Sequence, residues 1–185
     1  MYPNGTLELH LKPYVSGQIE LSIMLVDDGG DDGDSSSSSL PQSLMVHVVN
    51  VNNEPRFSMA LDPVVTPEVG LKPTSVRFPA AVVNISKGPL LPLNITNEDY
   101  QLLSFMVTPL NPAAVLGTLF QSLTMHPNGT LDLTLVPYAN GLARYQLVLQ
   151  DNGGTRLGGR NTSDIHTLSI DVQAVNNAPF FQLPD

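Results

Sequence analysis

Met1-Tyr2-Pro3-Asn4-Gly5-Thr6-Leu7 returns as Met125-His126-Pro127-Asn128-Gly129-Thr130-Leu131, and the offset of 124 residues holds without a gap to the end of the chain. At that offset 23 of the first 57 residues are identical, so the sequence carries tandem copies of one folding unit. Pro13-Tyr14 pairs with Pro137-Tyr138, Gly17 with Gly141, Asp27 with Asp151, Gly29-Gly30 with Gly153-Gly154, and Asn52-Asn53 with Asn176-Asn177. These are mostly residues that set turns. Met1 aligns with Met125 inside a module, so residues 1–57 read as the C-terminal part of a first β-sandwich repeat. Residues 58–181 read as a complete second repeat and 182–185 as the start of an exit linker. A part-repeat on its own is expected to leave one apolar face or sheet edge uncovered.

Period-two alternation sets the secondary structure. Leu7, Leu9 and Leu11 alternate with polar residues, as Leu131, Leu133 and Leu135 do one repeat later. Ile19, Leu21, Ile23 and Leu25 line one face and are matched by Ala143, Tyr145, Leu147 and Leu149. Leu44, Val46 and Val48 are matched by Leu168, Ile170 and Val172. Inward positions stay apolar while outward ones vary, as a core face requires, because a slip of one residue would expose the whole set. Further strands are expected near 56–61, 75–85, 101–108 and 117–123. About seven strands separated by Gly, Pro and Asn signals predict an all-β fold, tandem Greek-key sandwiches with the first one truncated. Asn4-Gly5 and Asn128-Gly129 read as tight turns. Tyr14 and Tyr138 stand where the tyrosine corner of immunoglobulin-like folds would tie one strand to the preceding turn.

Composition bounds the functional classes. Pro and Gly together make 30 of 185 residues, too many for long helices. No stretch is long and apolar enough to cross a membrane, so no membrane insertion by this segment is expected. The net charge of −9 argues against nucleic acid as a partner. Zero cysteine removes disulfides, thiolate metal sites and cysteine nucleophiles. His10, His47, His126 and His166 align with non-histidine residues, and no nucleophile motif, phosphate-cradling loop or metal-spaced histidine pair accompanies them. No enzyme is expected.

The run Leu147-Val148-Leu149-Gln150-Asp151-Asn152-Gly153-Gly154, then Ser163, then Leu168-Ser169-Ile170-Asp171-Val172, then Val175-Asn176-Asn177-Ala178-Pro179, resembles the end of a cadherin-like repeat. With Pro127-Asn128-Gly129-Thr130-Leu131 and Pro137-Tyr138-Ala139-Asn140-Gly141, the chain is similar to cadherin-like or immunoglobulin-like tandem repeats of very large microbial and protist surface proteins. The resemblance implies a string of sandwiches whose junctions bind Ca2+. The linkers Asn50-Val51-Asn52-Asn53-Glu54-Pro55 and Ala174-Val175-Asn176-Asn177-Ala178-Pro179 depart from that pattern in lacking aspartate. Ca2+ takes about six to eight oxygen ligands. The candidates are Glu68 and the acidic run Asp27, Asp28, Asp31, Asp32 and Asp34, whose spacing fits no EF-hand register and which reads equally as a solvated loop before Ser35 to Ser39.

Sequons at Asn4, Asn84, Asn94, Asn128 and Asn161 are the candidate glycosylation sites. The resemblance implies a structural or adhesive, calcium-stiffened module of a large extracellular or cell-surface protein, with any membrane anchor outside this segment. Its expected partners are neighbouring repeats of the same chain and another surface protein or glycan. The alternatives are a calcium-independent passive spacer and a carbohydrate-binding module, the latter without a tryptophan platform.

Overall fold

The computed structural model describes residues 2, 4–29, 37–88, 98–179 and 181–182. Among them the chain is all-β, with strands in several sheets and helix confined to two three-residue 3-10 turns. It divides into two compact units between Asn50 and Val51. In the first unit, β1 (Gly17–Ile23) pairs antiparallel with β2 (Gln42–Val48), in a register that sets Leu21 opposite Leu44.

The second unit contains β3 (Arg56–Met59), β4 (Val64–Pro67), β5 (Thr74–Phe78), β6 (Val82–Ser86), β7 (Leu103–Pro109), β8 (Phe120–Met125), β9 (Leu131–Leu135), β10 (Gly141–Asp151) and β11 (His166–Gln173). One sheet runs β4-β11-β10-β7, a second β5-β9-β8, and β3 pairs with β6. All three contribute to one apolar core. The inward residues named from the sequence are its centre: Leu131, Leu133 and Leu135 from β9, Leu147 and Leu149 from β10, and Leu168 and Ile170 from β11 are all at most 1% exposed. Each such burial contributes roughly 1.5 to 3 kcal/mol.

Two details of the expected strand plan change. The segment 75–85 is two strands, separated at a turn where Ala80 takes φ 56°. β4 was not anticipated, since Pro63 and Pro67 bound it. It survives because it lies at the sheet edge, parallel to β11, where a missing proline donor is tolerated.

The repeat is legible bond by bond. Thr6 and Thr130 each donate their backbone N–H to the side chain of Asn4 and Asn128 at 3.0 Å. Ser39 and Ser163 each accept, through Oγ, the N–H of Leu25 at 2.9 Å and of Leu149 at 3.0 Å. The Asn-Gly turns appear as expected, with Gly5 at φ 83° and Gly129 at φ 85°. A Cβ on Gly129 would stand 2.0 Å from the Val82 carbonyl oxygen, whereas one on Gly5 would meet nothing. At the position expected for a tyrosine corner, Tyr138, at φ 57° and half exposed, donates its backbone N–H to Val69 O at 2.8 Å, a bond of the main chain and not the expected tie through the hydroxyl.

Burial separates the two copies. Ala143, Tyr145, Leu149 and Leu168 are at most 3% exposed, while their counterparts Ile19, Leu21, Leu25 and Leu44 are, respectively, 58% exposed, half-buried, 75% and 38% exposed. The expected strand over Leu7, Leu9 and Leu11 does not form, although Leu131–Leu135 is one. The cause is pairing. β9 is flanked by β5 and β8, and the first unit has no counterpart of either among the described residues.

Two features of the second unit yield predictions. Tyr145 is buried beside Phe120, and its hydroxyl has no hydrogen-bond partner. Burial alone pushes its ionisation up to about 12. A buried hydroxyl without a partner costs about 1 to 3 kcal/mol, and the other repeat has Leu21 here, so Tyr145→Phe should raise stability by about 1 kcal/mol in urea unfolding. Across β5 and β9, Arg77 makes two hydrogen bonds to Asp132, at 2.7 and 2.8 Å, and His126 adds a third at 2.9 Å. Arg77 first, with help from His126, holds the Asp132 carboxyl at about 2 against its ordinary 3.8. A depressed carboxyl stabilises above its unfolded value and loses that contribution as pH falls through the folded one. The melting-temperature gap between the native chain and Asp132→Asn should therefore close as pH drops from about 4 to about 2.

Candidate functional site at the Asn52-Asn53 segment

A highly connected polar cluster lies where the second unit begins. Asn52 and Asn53 enter it as an extended segment between β2 and β3. The Asn52 amide nitrogen stands 2.9 Å from Asp151 Oδ1, 3.0 Å from Gly154 O and 2.9 Å from Arg160 O. Its Oδ1 accepts from Gln101 Nε2 at 2.5 Å, and its backbone carbonyl accepts the Arg160 N–H at 3.1 Å. Asn53 donates both its N–H, at 2.8 Å, and its side-chain amide, at 3.0 Å, to Glu98 Oε1. Glu54 bridges Arg56 at 2.7 Å and Arg160.

Local sequence builds this socket. Asp151 ends β10, and its Oδ1 also accepts the Gly153 N–H at 2.8 Å, the turn that Asp27 and Gly29 repeat at 3.0 Å. Glu98 and Gln101 close a turn through the Gln101 N–H to Glu98 O bond of 3.0 Å. Glycines make the room: a Cβ on Gly153 would lie 2.2 Å from Asn52 Oδ1, and one on Gly88 would lie 2.1 Å from Glu98 Oε2. Glu98, Gln101 and Asp151 are at most 4% exposed. Each keeps one oxygen without a hydrogen-bond donor: Glu98 Oε2, Gln101 Oε1 and Asp151 Oδ2. Beside Asp151 opens a cleft of about 420 Å³, also lined by Leu103, Asn152 and Asn161.

The residues named from sequence lie elsewhere. Glu68 Oε2 accepts from Asn140 Nδ2 at 2.6 Å and its Oε1 from Asn177 Nδ2 at 2.9 Å. The Asn140 bond, ahead of contributions from the Val175 backbone and Asn177, holds the carboxyl below its ordinary range. Asp27 is engaged with Gly29, and Asp28 is exposed. Asp31, Asp32 and Asp34 lie outside the described residues. Among the described residues no group of three or more His, Cys, Asp or Glu side chains is placed to hold a metal. Of the sequons, Asn4, Asn84 and Asn128 are exposed and Asn161 is half-buried at the cleft, while Asn94 lies outside the described residues. Among the described residues no helix is long and apolar enough to cross a membrane.

Sequence reading missed Glu98 and Gln101, which have no counterpart in residues 1–57. Asp151 and Asn52 were visible as repeated identities but read only as turn and linker.

No protein family, curated protein or solved structure matches this chain.

Asn52→Ala would strip partners from Gln101 and Asp151 inside the socket, at about 2 to 3 kcal/mol. Asn176→Ala, the same position one repeat later and exposed, should stay within about 0.5 kcal/mol. Equal losses in denaturant unfolding would mean that the socket contributes nothing.

Proposed function

We propose that this chain is a structural and adhesive tandem-repeat module of a large extracellular or cell-surface protein, built as Greek-key sandwiches of the cadherin-like or immunoglobulin-like kind. The observation that carries this reading is the socket. Asn52-Asn53, identical in the two copies, is bound by Glu98, Gln101 and Asp151 inside the second unit, so the linker position of the repeat is itself a built polar structure. The same residues recur as Asn176-Asn177 at the end of the second repeat. Weak contacts multiplied over tandem copies sum to useful avidity. Neighbouring repeats are its first partners, and a surface protein or glycan its target.

Ca2+ is the stiffening ion in this reading. The support is the three buried oxygens without donors, two of them carboxylate, because buried anionic oxygens are stabilised by a cation. Glu98 and Asp151 are the buried carboxylates through which it would act. A calcium-independent spacer is the second reading, favoured by Asn52, whose amide nitrogen already faces three oxygens.

Thermal melts in 1 mM Ca2+ and in EDTA separate the two. At a site of ~10 μM affinity Ca2+ should add about 2.7 kcal/mol and raise the midpoint by several degrees. The shift should disappear in Glu98→Gln/Asp151→Asn. Identical melts with and without Ca2+ would leave the calcium-independent spacer.

A further inference from the structure

The two copies of the repeat are an internal comparison, since one sequence pattern is seen with its strand neighbours and once without. In the second unit β10 carries β7 on its outer edge and β11 carries β4, while the β5-β9-β8 sheet contributes to the same apolar core. In the first unit β1 and β2 form a two-stranded sheet, and among the described residues neither outer edge has a third strand. Ile19 and Leu25, on the face that β10 buries as Ala143 and Leu149, stand 58% and 75% exposed. Leu9 and Leu11, which as Leu133 and Leu135 are buried in a strand, are 45% and 63% exposed and belong to no strand.

We propose that the β1–β2 pair, with residues 7–11, is a docking site for one occupant: the upstream half of a repeat of this 124-residue period, the part that residues 58–124 play in the second unit. The repeat register specifies how it sits. An antiparallel strand of the β7 type takes the β1 edge, and a parallel strand of the β4 type takes the β2 edge. Strands of the β5 and β8 types flank residues 7–11, which then become the middle strand of a second sheet facing the first. Main-chain hydrogen bonds at the edges give affinity, and the alternating apolar pockets fix the register. Two β1–β2 pairs packed face to face would cover the apolar residues but leave both edges and the backbone of 7–11 unpaired. The upstream half satisfies all three needs together.

The join needed for the test is already written in the repeat, because residue 125 follows 124 and aligns with Met1. An additional copy of residues 58–124 placed directly before Met1 of the full chain therefore restores the order of the second unit without a linker. The amides of 7–11 should then exchange about 100-fold or more slowly with deuterium, approaching those of 131–135, and binding of a hydrophobic dye should fall. Changing Phe120→Asp and Leu123→Asp in the added copy alone should abolish both effects. Should the extended chain fail to fold, the same addition joined to Met1 through a flexible Gly-Ser linker of about 10 residues must protect 7–11. Residues 7–11 left unprotected in both formats would overturn the proposal. So would an unextended chain that sediments as a dimer with 7–11 already protected, since the occupant would then be a second copy.

Discussion

A strand in the middle of a sheet is held from both sides, and in this protein that condition governs everything else. β9 is a strand because β5 and β8 bond to its two edges, and its leucines are buried because β10 and β11 bring theirs to the same core. Neither condition is written in Leu131–Leu135 itself, for the near-identical Leu7 to Leu11 has the same alternation without the same structure. Alternation sets which side chains share a face, and neighbours decide whether there is a face at all.

The turns behave in the opposite way. Asn4-Gly5-Thr6 and Asn128-Gly129-Thr130 close with the same bonds, although one stands in open space and the other against β6. Ser39 and Ser163 do likewise, as do Asp27 and Asp151 with the glycine two residues on. Short-range geometry needs only the residues that make it. Among the described residues the first unit thus makes these local bonds of the repeat while its apolar face stays exposed.

That division explains how much could be read from the chain. The all-β class, the turn positions and the core of β9, β10 and β11 follow from period two and from the repeat, because both are local or self-comparing signals. β4 escaped because proline at both ends signals a break, and only its parallel place beside β11 makes it a strand. The socket was half legible. Asn52 and Asp151 announce themselves as identities between copies, yet Glu98 and Gln101 come from a part of the repeat seen only once, so no comparison within the chain singles them out. The acids that drew attention by density, Asp27 and Asp28, are a turn and an exposed side chain, whereas those buried in the socket are scattered across residues 98 to 151. Coordination is a property of folded proximity, not of spacing along the chain.

The socket at Asn52-Asn53 also has a long reach along the chain. It ties the lead-in to β3 to a turn 45 residues on and to the end of β10, 99 residues on, all inside the second unit. Bonds between residues so far apart form only once that unit has closed, so opening the socket would release the whole lead-in segment from the body of the unit rather than fray a single turn.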